Sequence, residues 1–276
     1  TARHFFETDA FLLIAGVAGG TGSGAIPIVA QMLRERYLDK PIYAMAVLPF
    51  AHEEETEERT VYNAATCLKS LYPMVDAVFL VDNQRYVRKD FSLRNNMTKI
   101  NALIAEPFYN LLCAGEEKKL KYLGSKVLDA GDIKQTLDGI TSIGRGQVQL
   151  GTFHRLNKSH FREEAREHGS VAGALDKAIS NLSVSVDLAE ARRILVLLTA
   201  PRGTITLSAI EEVATLLQER APKAVVRMGD YPRRGKEVSL TLLASRLARV
   251  GRVETLFSHA TELFDKQVEI DKETQE

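Results

Sequence analysis

Apolar residues along this chain follow two spacings. Unbroken apolar runs of strand length occur at Phe11–Ala15, Ile42–Leu48, Ala77–Val81 and within Ala191–Thr199. The first carries no charge at all, as a strand buried on both faces of a parallel sheet would. Elsewhere apolar positions recur at three and four, which predicts helices over Ile26–Tyr37, Thr60–Leu71, Val171–Leu182, Leu207–Arg220 and Val253–Val268. The helical spacing is clearest from Met97 to Cys113, where Met97, Ile100, Ile104, Phe108, Leu111 and Leu112 share a face and Asn101 falls on their side. The first run, the helix after it and the second run make a β-α-β unit, so a right-handed crossover and a parallel sheet follow.

The pattern changes after a polar stretch, Gly115–Lys121, which predicts a boundary between subdomains. Beyond it, Ile143–Phe153 has glycines at alternate places, and His154–His168 reads as a charged surface loop or short helix. Ala224–Met228, closed by G-D-Y-P, predicts a strand, and Glu237–Ser245 alternates enough to predict a half-exposed one. The second unit is therefore α+β. Ile270–Glu276 is a polar tail with nothing to bury.

Charge and cysteine content remove several functions. Thirty-six basic and 36 acidic residues cancel in this chain of 276, so no global field draws nucleic acid or an anionic membrane. Cys67 and Cys113 lie far apart without C-x-x-C spacing, which fits neither zinc nor a disulfide framework and fits a reducing cytoplasm. No apolar run approaches the roughly 18 residues of a membrane span. The first residues, T-A-R-H-F-F-E-T-D, lead straight into a strand, as expected of a chain that begins inside a longer protein.

The candidate chemistry sits between the first run and the first helix. There Gly19, Gly20, Gly22 and Gly24 alternate with Thr21 and Ser23. A strand, a glycine loop and a helix make a phosphate site, because glycines let successive N–H groups approach an anion and the helix start adds partial positive charge. The two hydroxyls are expected to donate as well, and Gly22 is expected to be replaceable without loss of the fold. A loop that merely turns the chain is the plainer alternative. No lysine follows Gly24, so this is not a P-loop. Asp39 precedes the second strand instead of ending it, which disfavours a dinucleotide enzyme of Rossmann type.

Gly19–Gly24, with Ala18 ahead of it, resembles the G-G-G-T-G-S-G signature of the tubulin/FtsZ superfamily of polymerising GTPases. V-D-N-Q-R-Y, I-N-A-L-I-A-E, V-L-D-A-G-D-I, I-L-V-L-L-T-A-P and M-G-D-Y-P follow in that superfamily's order, most closely in the manner of its archaeal CetZ branch. The resemblance implies an α/β fold with a parallel-sheet nucleotide-binding domain, a central helix and an α+β second domain. It divides the chain into residues 1–122, with the central helix at about 92–115, then 123–262 and a tail, 263–276. The superfamily's first strand and first glycine loop have no counterpart here, so the nucleotide-binding domain is expected to be N-terminally incomplete.

By the same resemblance the ligand is GTP or GDP with Mg²⁺. Asn83 and Asn101 then read the guanine edge, Met97 stands where a ring usually stacks on the base, Glu53 lies near the ribose, and Arg59 is a looser match. An asparagine amide both donates and accepts, which suits guanine and leaves adenine unpaired. Asp129 and Asp132, in L-D-A-G-D-I, are by themselves a helix N-cap and a turn residue. The resemblance instead makes them the acids that one subunit inserts into the next subunit's site, with Val127 replacing the usual asparagine. The implied protein is a cytoplasmic GTPase that self-associates head to tail into filaments. The rival is a structural or interaction protein of the same fold that does not hydrolyse.

Overall fold

A computed structural model describes residues 8–87, 93–115, 127–150, 171–201, 205–233 and 235–275, and of 93–97, 115 and 270–275 only the backbone. His154–His168 and nearly all of the boundary stretch Gly115–Lys121 lie outside the described residues. The apolar runs become strands β1 (Phe11–Gly16), β2 (Ile42–Leu48) and β3 (Ala77–Asp82). Between them run helix α1 (Gly20–Arg36) and the pair α2 (Ala51–Thr56) and α3 (Glu58–Leu71). Helices α4 (Leu93–Gly115) and α5 (Ala130–Thr136) lead to β4 (Gly139–Gln149), and α6 spans 171–180. Then come β5 (Arg193–Ala200), α7 (Leu207–Arg220), β6 (Val225–Pro232), β7 (Glu237–Ser245) and α8 (Gly251–Gln275).

Among the described residues seven strands join one mixed sheet in the order β1-β2-β3-β4-β7-β5-β6. Strands β1 to β4 are parallel, β7 runs antiparallel to both β4 and β5, and β6 is parallel to β5. Strand β4 joins the two halves: it pairs with β3 through Gly139–Thr141 and with β7 through Ser142–Gln149. Side chains alternate across the sheet. Val78, Leu80, Val196 and Leu242 enter a core beneath α1, α3, α6, α7 and α8. Phe79, Val81, Leu197 and Leu243 enter a second core beneath α4 and α5, where Phe79 meets Phe108 edge-on at 5.1 Å. Each fully buried side chain of this size contributes about 1.5–3 kcal/mol.

Three expectations change with this arrangement. Strand β1 is not covered on both faces: it is an edge strand, Ile14 is 64% exposed, and no described segment pairs with its outer side. Strand β7 is not half exposed, because it lies between β4 and β5 with both faces packed, and its alternating Ser239 and Thr241 are buried polar residues. The final helix runs through the polar tail to Gln275. The alternating glycines of β4 have a packing reason that periodicity did not reveal. A Cβ on Gly144 or Gly146 would overlap the backbone of α6 at Ala178 or Ala174.

Candidate functional site

The C-terminal ends of β1, β2 and β3 lie side by side, with Gly16 opposite Val47 and Leu48 opposite Asp82. In a parallel α/β sheet this is the edge where ligands bind. Helix α1 starts at Gly20, earlier than the apolar pattern suggested, so the glycine loop forms its first turn. The first helical bond runs from the Ser23 N–H to the Gly19 carbonyl at 3.2 Å. The N–H groups of Gly20, Thr21 and Gly22 therefore have no partner within the helix. No acidic residue occupies this turn, so nothing there competes with an anion for the dipole.

The glycines divide into two kinds. A Cβ on Gly22 would overlap the carbonyl oxygen of Gly16, so Gly22 lets α1 close onto the end of β1. The expectation that a bulky residue could replace it without harm to the fold is thus corrected. Gly19, Gly20 and Gly24 face open space within 4 Å, so the protein's own packing does not demand glycine there. A groove of about 560 Å³ between α1 and α3 has Gly20, Ser23 and Gly24 at its loop end. The Ser23 hydroxyl oxygen lies 2.8 Å from the Gly19 carbonyl and 3.3 Å from that of Gly20, and the residue is buried. Thr21 remains exposed. Ala18 is held from behind, its carbonyl accepting from the Asn63 amide at 3.0 Å.

The other candidates come from the neighbouring strand ends. Glu53 stands in the first turn of α2, where one carboxylate oxygen accepts from the Phe50 N–H at 2.8 Å. Arg59 is exposed at the start of α3. Asn83 opens the turn Asn83–Tyr86 directly after β3, and that turn packs against α4. Asn101 on α4 is exposed and does not share the apolar face as the spacing suggested: that face turns inward at Ile100 and Ile104. Neither Asn83 nor Asn101 commits its amide to a hydrogen bond among the described residues. Met97 lies on α4, but its side chain is outside the described residues.

Asp129 and Asp132 are elsewhere. Asp129 caps α5, accepting from the Asp132 N–H at 2.8 Å, and Asp132 accepts in return from the Asp129 N–H at 3.2 Å. A Cβ on Gly131 would come within 2.9 Å of the Asp129 carboxylate. Asp132 also faces Arg227 of β6 at 3.5 Å. Strand β6 is the sheet edge opposite β1. Six interstrand steps of about 4.8 Å put roughly 29 Å, before twist, between the two. The glycine loop and the acid pair of one chain thus lie at opposite sides of the sheet.

Sequence reasoning missed the groups that support these loops. The Asp82 carboxylate accepts from the Gln84 N–H at 3.1 Å, and the Gln84 side chain accepts from the Ala51 N–H at 3.1 Å. Burial holds the Asp82 carboxyl above its usual range, although Arg252 and the Gln84 N–H pull the other way. Burial also pushes the Tyr86 phenol up to about 12. Asp before a turn is a legible signal for a cap. Arg252 gave none.

Comparison with known proteins gives the same outline. Residues 2–89 match the Tubulin/FtsZ family GTPase domain, and residues 90–262 match the tubulin-like CetZ C-terminal domain. Tubulin-like protein CetZ3 of Haloferax volcanii is 30% identical over 270 residues, 93% of this chain and 67% of the relative. Among solved structures, a GTPγS-bound protofilament of CetZ2 from Haloferax volcanii superposes with a TM-score of 0.78 at 26% identity, covering 95% of this chain and 72% of that one. The GDP-bound monomer of CetZ1 from the same organism superposes at 0.76 with 26% identity, over 94% of this chain and 71% of that one. The architecture is that of tubulin/FtsZ proteins, seen in its solved relatives with guanine nucleotides. This chain belongs to the CetZ branch of the tubulin/FtsZ family.

Proposed function

We propose that this protein binds GTP at the ends of β1, β2 and β3, assembles head to tail, and hydrolyses GTP in sites completed by the next subunit. One observation carries the proposal: the glycine loop follows β1 at one side of the sheet, whereas the Asp129–Asp132 pair starts α5, which packs on β5 and faces β6 at the other side. A carboxylate can orient or partly deprotonate water only within hydrogen-bond reach of it. Acids so far from their own chain's loop can serve only a neighbour's. Such a contact is heterologous and extends into filaments unless its rotation closes.

The residues fit a bound nucleotide. The unclaimed N–H groups of Gly20, Thr21 and Gly22 bind phosphate oxygens, the uncommitted amides of Asn83 and Asn101 take the guanine edge, and Glu53 keeps one carboxylate oxygen for the ribose. Bound GTP supplies the scissile phosphate anhydride. No three His, Cys, Asp or Glu side chains gather among the described residues, so Mg²⁺ fits as an ion held largely by phosphate oxygens and water. The capping box that engages Asp129 and Asp132 favours the non-hydrolysing alternative, in which both acids only start α5. Hydrolysis per subunit, measured below and above the onset of light scattering, separates the two. A rise above onset that is lost in Asp129→Ala/Asp132→Ala is expected; a constant rate across onset contradicts shared catalysis.

A further inference from the structure

Arg252, near the start of α8, reaches across the fold to the site. Its guanidinium grips the Glu54 carboxylate at both oxygens, with one bond of 3.0 Å between Nη1 and Oε2. Nη2 also donates to the Pro49 carbonyl at 3.4 Å, and Nε faces the Asp82 carboxylate at 3.7 Å. All three side chains are largely buried, at 18% exposure for Arg252 and 11% for each acid. Glu54 adjoins Glu53 in α2, and Asp82 caps the turn that begins with Asn83. Gln84 closes the circuit by accepting from Ala51. One cation of the C-terminal helix thus holds both loops that carry the proposed ribose and base contacts.

We infer that Arg252 is a positioning residue for guanine recognition, fixing the end of β2 and the start of α2 relative to the Asn83 turn. The inference rests on the nucleotide site proposed above. Burial alone would lower the Arg252 pKa, but Glu54 and Asp82 together raise it, so the cation persists at any working pH. A planar fork suits this task because it can hold one carboxylate at two points while its third nitrogen faces another. No other described cation faces Glu54. Arg85 acts on Asp82 only as a more distant charge.

The test combines two readouts on the full chain. Amide exchange without nucleotide reports the clamp itself: in Arg252→Ala the amides of Ala51 and Gln84 should exchange about tenfold faster or more. The preference for GTP over ITP, which lacks the 2-amino group, reports base reading, and it should fall about tenfold because a displaced contact is lost while overall binding persists. A variant that is only partly unfolded binds both nucleotides less and keeps their ratio. Arg252→Lys retains the charge without the fork, so it should fold and show the same losses in smaller measure. Arg249→Ala, which breaks only an exposed pair with Glu254, should change neither readout. Unchanged exchange and an unchanged GTP/ITP ratio in both Arg252 variants overturn the inference alone. A parent protein that does not distinguish GTP from ITP overturns the base-reading proposal beneath it, whatever the exchange data show.

Discussion

Gly22 and Gly24 offer a paired test of how the glycine loop is built. Both lie in the first turns of α1, so alanine at either gains about 1 kcal/mol of intrinsic helix preference. Their surroundings oppose each other. A Cβ on Gly22 would overlap the Gly16 carbonyl oxygen by about 1 Å relative to a normal C···O contact of about 3.3 Å. That oxygen belongs to the backbone at the end of β1, so α1 must move away from the sheet. Forcing an extra carbon into a packed position costs about 1–3 kcal/mol, and a backbone obstacle puts the cost in the upper half of that range. Gly22→Ala should therefore lose about 1–2 kcal/mol net, whereas Gly24→Ala, with open space, should gain about 0.5–1 kcal/mol. In a chain of this size that is a fall of roughly 2–8 °C against a rise of roughly 1–4 °C in Tm. Urea titration with m-values gives the difference directly. Gly22→Ala equal to or more stable than Gly24→Ala refutes the reasoning.

Three further outcomes follow from individual side chains. Asn101→Ala should leave stability within about 0.5 kcal/mol because the residue is exposed. It should weaken GTP binding by about 1–3 kcal/mol and bring it closer to ATP; equal affinities in competition with a fluorescent nucleotide would return Asn101 to an ordinary surface position. Burial raises the Asp82 carboxyl, so its stability contribution is fully present below the unfolded value of about 3.9 and is lost as pH rises through the raised folded value. Asp82→Asn should flatten that decline in urea melts between pH 4 and 7, and parallel curves for parent and variant count against it. The Cys67 thiol, buried and pushed up to about 11, is about one part in a thousand thiolate at pH 8. Iodoacetamide should leave it unmodified in the native protein and modify it in urea, as read by mass spectrometry; rapid native labelling contradicts this.

Strands and helices were legible wherever one period dominated. Val78 to Leu80 and Ile194 to Leu198 read as strands because each alternate residue meets a different core, and the face of α4 read correctly at Ile100, Ile104 and Leu111. Position in the sheet was not legible. The apolar run of β1 reads as a central strand, whereas among the described residues it pairs on one side only, with β2. Asn101 was misplaced for a related reason, since one residue past Ile100 is enough to rotate a side chain out of a narrow apolar face. The glycine loop was legible as a unit. Its division into packing and open positions needed the distance from Gly22 to β1. Arg252 was invisible because its partner Glu54 is 198 residues away in sequence.

The claim that one subunit's acids complete its neighbour's site is tested most directly by mixing two inactive variants. Gly20→Asp places a carboxylate in open space at the first turn of α1, where the fold tolerates it and phosphate does not. Asp129→Ala/Asp132→Ala keeps the loop and removes both acids. Each alone should co-sediment poorly or hydrolyse little GTP. Mixed in equal amounts above the assembly threshold, the intact loop of the second meets the intact acids of the first at about one junction in four, if addition is head to tail and random. The account predicts recovery to about a quarter of the parent rate. Filaments that contain both variants yet hydrolyse no faster than either alone would contradict it.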